Sequence, residues 1–226
     1  MQRAMFLGHL GLGDHIIQQG AVNRLAKKYE RVLLFCKHRN VSSLRHMCGE
    51  NIDIVPVTND NDVRKIHPLI EECDVFRVGI YNDSWNTLTS SGLTFDKFFY
   101  EQLNMDFAAT YDLAIEDGEG WEEIMRLDPN EPFYFVHDDE LRGFNIDENN
   151  IDNGGSIPIV RPVIRANTIF DYLPLIRRAT EVHCIDSSFA LMLDRASGIK
   201  ATKYIHRYCR EESVYPSYKN DWKVLQ

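Results

Sequence analysis

Two short stretches of the 226-residue chain combine residue types able to do chemistry. The first is Gly8-His9-Leu10-Gly11-Leu12-Gly13-Asp14-His15. Its glycines permit a tight strand-to-helix turn and leave the backbone open to a ligand, because no Cβ blocks the approach. Asp14 falls where a helix would begin, as a cap for a backbone N–H or as a carboxylate able to take a proton from an incoming hydroxyl. His9 and His15 flank it and are candidates for orienting an acceptor. The second stretch is Glu181 to Phe189, an apolar strand running directly into Asp186-Ser187-Ser188. A helix opening there offers free N–H groups and the positive end of its dipole to a phosphate, although Asp and Ser are also ordinary cap residues.

The surrounding pattern says what must position these residues. Ala4 to Leu7, Arg31 to Cys36, Ile52 to Val57 and Val75 to Ile80 read as strands. Helical spacing over Ile16 to Tyr29, Val41 to Met47 and Val63 to Cys73 alternates with them. Phe95 to Leu103 is a further, aromatic helix. A second alternation follows: strands at Phe133 to His137, Ser156 to Val160, Glu181 to Ile185 and Ala201 to Tyr208, with helices at Thr168 to Ala179 and Ser187 to Ala196. A short acidic helix ends near Asp128, Asp147 to Gly155 reads as a loop, and the tail from Glu211 packs through Trp222. Asp128-Pro129-Asn130-Glu131-Pro132 reads as a linker. The fold class is therefore α/β, with two tandem Rossmann-like domains over 1–128 and 129–226. Ligands in such sheets sit at the carboxyl ends of the strands, so an interdomain cleft is expected.

Several chemistries are disfavoured. The glycine order is not G-x-G-x-x-G and the second strand ends in Cys36-Lys37-His38 without a ribose-binding acid, so a dinucleotide site fails. No G-K-[ST] follows the glycines, and the Y-x-x-x-K spacing at Tyr215 to Lys219 lies in a proline-broken tail. Five scattered cysteines without a C-x-x-C pair read as reduced thiols. A net charge of −9 argues against nucleic acid and anionic lipid as partners. No apolar run has the length of a membrane span, and the start of the chain has no signal-peptide layout, so a cytoplasmic protein is expected.

Gly11-Leu12-Gly13-Asp14 opening the first helix, and Ile185-Asp186-Ser187-Ser188 opening a late one, resemble the two signature loops of GT-B fold glycosyltransferases of the heptosyltransferase type, including small viral and phage enzymes of that layout. The resemblance implies Asp14 as catalytic base and Asp186, Ser187 and Ser188 as the loop holding the donor diphosphate. The histidine that the family carries three residues after this loop falls on Leu191. Gly11 and Gly13, with their open backbone, His137 and Asp138, and the cationic Arg142, Arg161, Arg165, His206 and Arg207 are further donor-binding candidates, since guanidinium forks match phosphate oxygens. Tyr81 and Trp85 are candidates for stacking an acceptor sugar, whereas Phe95, Phe98 and Phe99 at helical spacing read as core. Asp60-Asn61-Asp62 imitates a metal-binding D-x-D but reads as a helix start. The expectation is an inverting glycosyltransferase without metal or other cofactor, with a nucleoside diphosphate-sugar as donor and a carbohydrate acceptor. Uridine is only a frequency guess for the base. The alternatives are a sugar-nucleotide-modifying enzyme such as an epimerase, a phosphotransferase, or a noncatalytic nucleotide- or carbohydrate-binding module.

Overall fold

The computed structural model describes residues 2–118, 128, 131–151, 157–162, 167–209, 215–219 and 221–226. The expected acidic helix before Asp128, the 152–155 part of the expected loop and Arg165 lie outside them. The chain forms two compact units, Met1–Ala114 with Val214–Ser217, and Ile115–Ser213 with Tyr218–Gln226. The division thus falls at Ala114/Ile115 and not after Asp128. The reason is that 115–118 binds the second unit, through the Asp117–Arg177 ion pair and a 3.1 Å bond from the Gly118 N–H to the Phe170 carbonyl.

The first unit is a four-stranded parallel sheet, ordered β3-β2-β1-β4, from β1 (Arg3–Leu7), β2 (Arg31–Lys37), β3 (Ile52–Val57) and β4 (Cys73–Arg77). Its helices are α1 (Leu12–Ala26), α2 (Val41–Arg45), α3 (Asp60–Ile66), α4 (Leu88–Ser91) and α5 (Phe95–Gln102). The strand expected to reach Ile80 stops at Arg77 because Gly79 turns the chain at φ +60°. Helix α1 is buried on more than its sheet-facing stripe, since the 3-10 turn Phe107–Tyr111 packs against it. There the Ile17 carbonyl accepts from the Tyr100 hydroxyl at 2.7 Å and the Thr110 hydroxyl at 3.0 Å. This approach requires Gly20, where a Cβ would stand 1.8 Å from the Ala109 carbonyl oxygen.

The second unit is a five-stranded parallel sheet, ordered β6-β5-β7-β8-β9, from β5 (Tyr134–His137), β6 (Ile159–Val160), β7 (Glu181–Cys184), β8 (Thr202–His206) and β9 (Trp222–Leu225). The helix expected over Thr168 to Ala179 is a 3-10 turn, Ile169–Tyr172, followed by one helical turn, α6 (Leu173–Ile176). Pro174, lacking an N–H, cannot continue the ladder across that junction. Helix α7 (Ser188–Arg195) matches its expected place. The tail contributes β9, held by Asp194, which is 0% exposed and accepts from the Lys219 N–H and the Trp222 indole N–H, each at 2.9 Å.

One face of this sheet carries a buried polar chain. His183 Nε2 lies 3.2 Å from Glu181 Oε2, His183 Nδ1 2.9 Å from His206 Nε2, and His206 Nδ1 2.9 Å from the Tyr208 hydroxyl. With both imidazoles neutral, one direction satisfies every group: Tyr208 donates to His206, His206 to His183, and His183 to Glu181. His183 stacks flat on Tyr204, ring centroids 4.6 Å apart.

Gly20→Ala should destabilise the protein by about 1–3 kcal/mol through forced overpacking, read in denaturant unfolding; an unchanged midpoint would contradict the close approach. The buried histidines make a second prediction. His15, His137, His183 and His206 are each pushed down to about 4 by burial from an ordinary 6.5. Below 6.5 the unfolded chain binds protons that the folded chain refuses, so stability should fall as pH drops from 6.5 toward 4. Melting temperatures should decline over that interval, and less so in His183→Phe; a flat profile would contradict neutral, buried imidazoles.

Candidate active site

In the first unit, the loop after β1 delivers Asp14 into the first turn of α1, with Gly11 at the cap position and no side-chain cap there. The carboxylate occupies the space that a Cβ on Gly11 would need, Asp14 Oδ2 standing 2.4 Å from that position. Asp14 thus lies against the helix start while its side chain stays 26% exposed. Burial raises its pKa above the ordinary carboxylate value, against the opposing pull of His9, the Gly11 N–H and Lys37. His9 Nδ1 lies 3.8 Å from Asp14 Oδ1.

His9 is also the hub of an aromatic wall. Its ring meets Trp85 and Phe99 edge-on, each with centroids 5.0 Å away, and Trp85 stacks against Phe99 at 5.9 Å. Phe98 and Phe99 are core, as expected. Tyr81 is half-buried; its hydroxyl donates to Asp60 Oδ1 at 2.8 Å and Arg64 sits over its ring at 5.4 Å. Asp60 and Asp62 belong to the start of α3, where Asn59 caps and Asp62 accepts from the Thr58 N–H at 3.0 Å. Sequence reasoning passed over Lys37, His38 and Arg39, which line a pocket of about 310 Å³ with Val57 and Thr58 at the carboxyl ends of β2 and β3. Their type is visible in the sequence, but only the sheet order makes them neighbours of the Asp14 loop.

His15 corrects its assignment as an acceptor contact. It is 1% exposed, and neither ring nitrogen has a hydrogen-bond partner among the described residues, because α1 turns that position inward.

In the second unit, parallel pairing of β5 with β7 brings His137 beside the start of α7. The Ser187 hydroxyl lies 3.2 Å from His137 Nδ1 and accepts the Ala190 N–H at 3.5 Å, and His137 stacks on Phe189 at 4.0 Å. Ser187 is therefore committed as the cap, and the backbone N–H groups remain the loop's means of meeting an anion. Ser188 is half-buried in the first turn of α7. Asp186 is buried beside Tyr218, whose hydroxyl it raises well above the ordinary tyrosine value together with burial.

The three candidate arginines among the described residues each face a carboxylate. Arg142 bonds Asp139 at 2.5 Å, Arg161 lies 2.8 Å from Glu148 and 3.5 Å from Asp138, and Arg207 Nε stands 3.6 Å from Asp186. His206 corrects its assignment as a donor contact: it is 0% exposed and both ring nitrogens serve the buried polar chain. Gly11 and Gly13 lie at the start of α1 in the first unit, and the Ser187 loop belongs to the second. The cysteines are free thiols, and burial pushes Cys36 up to about 11, which suits packing rather than nucleophilic attack.

No protein-family profile matches the chain, and no curated protein matches it. Solved structures do. A glycosyl transferase family 9 protein from Veillonella parvula DSM 2008 superposes with a TM-score of 0.61 at 12% identity, covering 99% of this chain and 86% of that one. The iron-containing dodecameric glycosyltransferase TibC from enterotoxigenic E. coli H10407 gives a TM-score of 0.53 at 10% identity, over 91% of this chain and 58% of its own. E. coli ADP-heptose lps heptosyltransferase II gives 0.50 at 13% identity, covering 100% and 90%. At such identities the likeness is one of fold. The chain has the two-Rossmann α/β architecture of these GT-B glycosyltransferases.

Proposed function

We propose that the chain is a glycosyltransferase that moves a sugar from a nucleoside diphosphate-sugar to a carbohydrate hydroxyl with inversion. The observation that carries this reading is the Asp14 carboxylate, half-buried in the β1–α1 loop with its pKa raised toward that of a working base. The second unit's α7 start, an open helix N-terminus flanked by His137 and Asp186, supports it as the donor side.

In the reaction, the acceptor oxygen forms a bond to the anomeric carbon as its proton passes to Asp14. The bond from that carbon to the diphosphate oxygen breaks, and its electron pair leaves with the nucleoside diphosphate. Backbone N–H groups at Ser188 and Phe189 and the dipole of α7 stabilise the charge that builds on the leaving group. Arg207 and Arg161 add positive charge, tempered by Asp186 and Asp138. Among the described residues no group of three or more His, Cys, Asp or Glu stands together to bind a metal, and no step here is routed through one. Trp85 and the Lys37–Arg39 pocket serve the acceptor. The name of one similar structure includes ADP-heptose, so ADP-sugars stand first for testing beside uridine diphosphate sugars. No helix among the described residues is long and apolar enough to cross a membrane, and we take the cytoplasm as the site of action.

Release of nucleoside diphosphate should be detectable with one member of a panel of ADP- and UDP-sugars. Asp14→Asn should then cut turnover by about 10²–10⁴-fold while donor affinity stays within about twofold of wild type. Full turnover in that variant would remove Asp14 as base, and binding without release or transfer would make the chain a binding module. Ser188→Pro keeps the first helical turn but deletes one N–H donor. It should weaken nucleoside diphosphate binding by about tenfold in calorimetry; unchanged affinity in the folded variant would remove the phosphate loop.

A further inference from the structure

The His9 ring is held from three sides. Its Nε2 lies 3.1 Å from the Ile80 backbone N–H, which donates to it. The bond is possible because Gly79, at φ +60°, lacks a side chain: a Cβ there would stand 2.1 Å from that same nitrogen. Trp85 and Phe99 meet the ring edge-on at 5.0 Å each and fix its plane. Gly79 is itself anchored by a 2.7 Å bond from its N–H to Gln102 Oε1.

A ring nitrogen that accepts a hydrogen bond carries no hydrogen, so in neutral His9 the proton sits on Nδ1. That atom is the one directed at Asp14, 3.8 Å from Oδ1. We infer that His9 is a positioning residue, locked by Ile80 and Gly79 as the neutral Nδ1–H tautomer, whose N–H dipole faces the Asp14 carboxylate from 3.8 Å, beyond direct hydrogen-bond range, and favours its ionised form. The inference rests on the reading of Asp14 as base. Protonating Nε2 would set two N–H groups against each other, so His9 does not relay the acceptor's proton. Asp14 keeps that proton until solvent removes it. Burial of the ring disfavours the imidazolium in the same direction, while Asp14 and Asp60 favour it. The Lys37 ammonium also favours the ionised form of Asp14.

The test needs no substrate. In wild-type protein, ring ¹⁵N shifts should show the Nδ1–H tautomer of His9, with the ring neutral at neutral pH. The Asp14 carboxyl, followed by ¹³C NMR, should titrate about one pH unit higher in His9→Phe, which keeps an aromatic ring but cannot donate. If transfer is found, the acid limb of kcat/KM should move upward with it. An unshifted Asp14 midpoint in folded His9→Phe would overturn the inference, as would an Nε2–H tautomer or a His9 charged at neutral pH in wild type. The wild-type ¹⁵N result decides the matter even if the variant does not fold. Failure to find transfer with any donor would count against the proposed function alone, because the Asp14 titration is read without it.

Discussion

The Asp14 carboxylate and the Gly11 backbone compete for one small space, and the absence of a Cβ on Gly11 decides in favour of the carboxylate. Much of the first unit follows from that arrangement. The carboxylate packs against the start of α1, α1 lies against the sheet and the 107–111 turn, and β1 is the buried inner strand that presents the loop. Any side chain at Gly11 would displace the Asp14 carboxylate. Burial there raises its pKa, as the proposed role of base requires.

The second unit treats its loop differently. There the hydroxyl of Ser187 is spent on the cap and on His137, so the helix offers an anion its backbone and dipole rather than its side chains. The arginines nearby face acidic partners, which holds them in place and lowers the net positive charge of the site. In a chain of net charge −9, the proposed binding of an anionic donor would rest on fixed N–H groups more than on bulk attraction.

The sheet cores were legible because buried parallel strands are written as continuous apolar runs, such as Met5-Phe6-Leu7 and Val32-Leu33-Leu34. Both helix starts were legible from glycine, serine and aspartate. Strand β9 was not: Trp222-Lys223-Val224-Leu225 is short and half-polar, and it is kept in the sheet by the distant, buried Asp194. The boundary was misplaced because prolines mark where a chain bends and not where its contacts change. His15 and His206 show the same gap at the level of single residues. Nothing local says that α1 buries His15 or that β8, with Tyr204 opposite His183, brings His206 two residues on within 2.9 Å of it; register and packing decide both. The partner of His9 is a backbone N–H seventy-one residues away, a contact that spacing cannot encode.

The account divides the labour between a carboxylate in one unit and a helix N-terminus in the other. An amide chemical-shift footprint of ADP or UDP on the isotope-labelled chain tests that division most directly. The account predicts the largest perturbations at Ser187, Ser188 and Phe189 with those at Gly11 to Asp14 small; a footprint centred on Gly8 to Asp14 would contradict it, because the glycine loop would then be the nucleotide cradle.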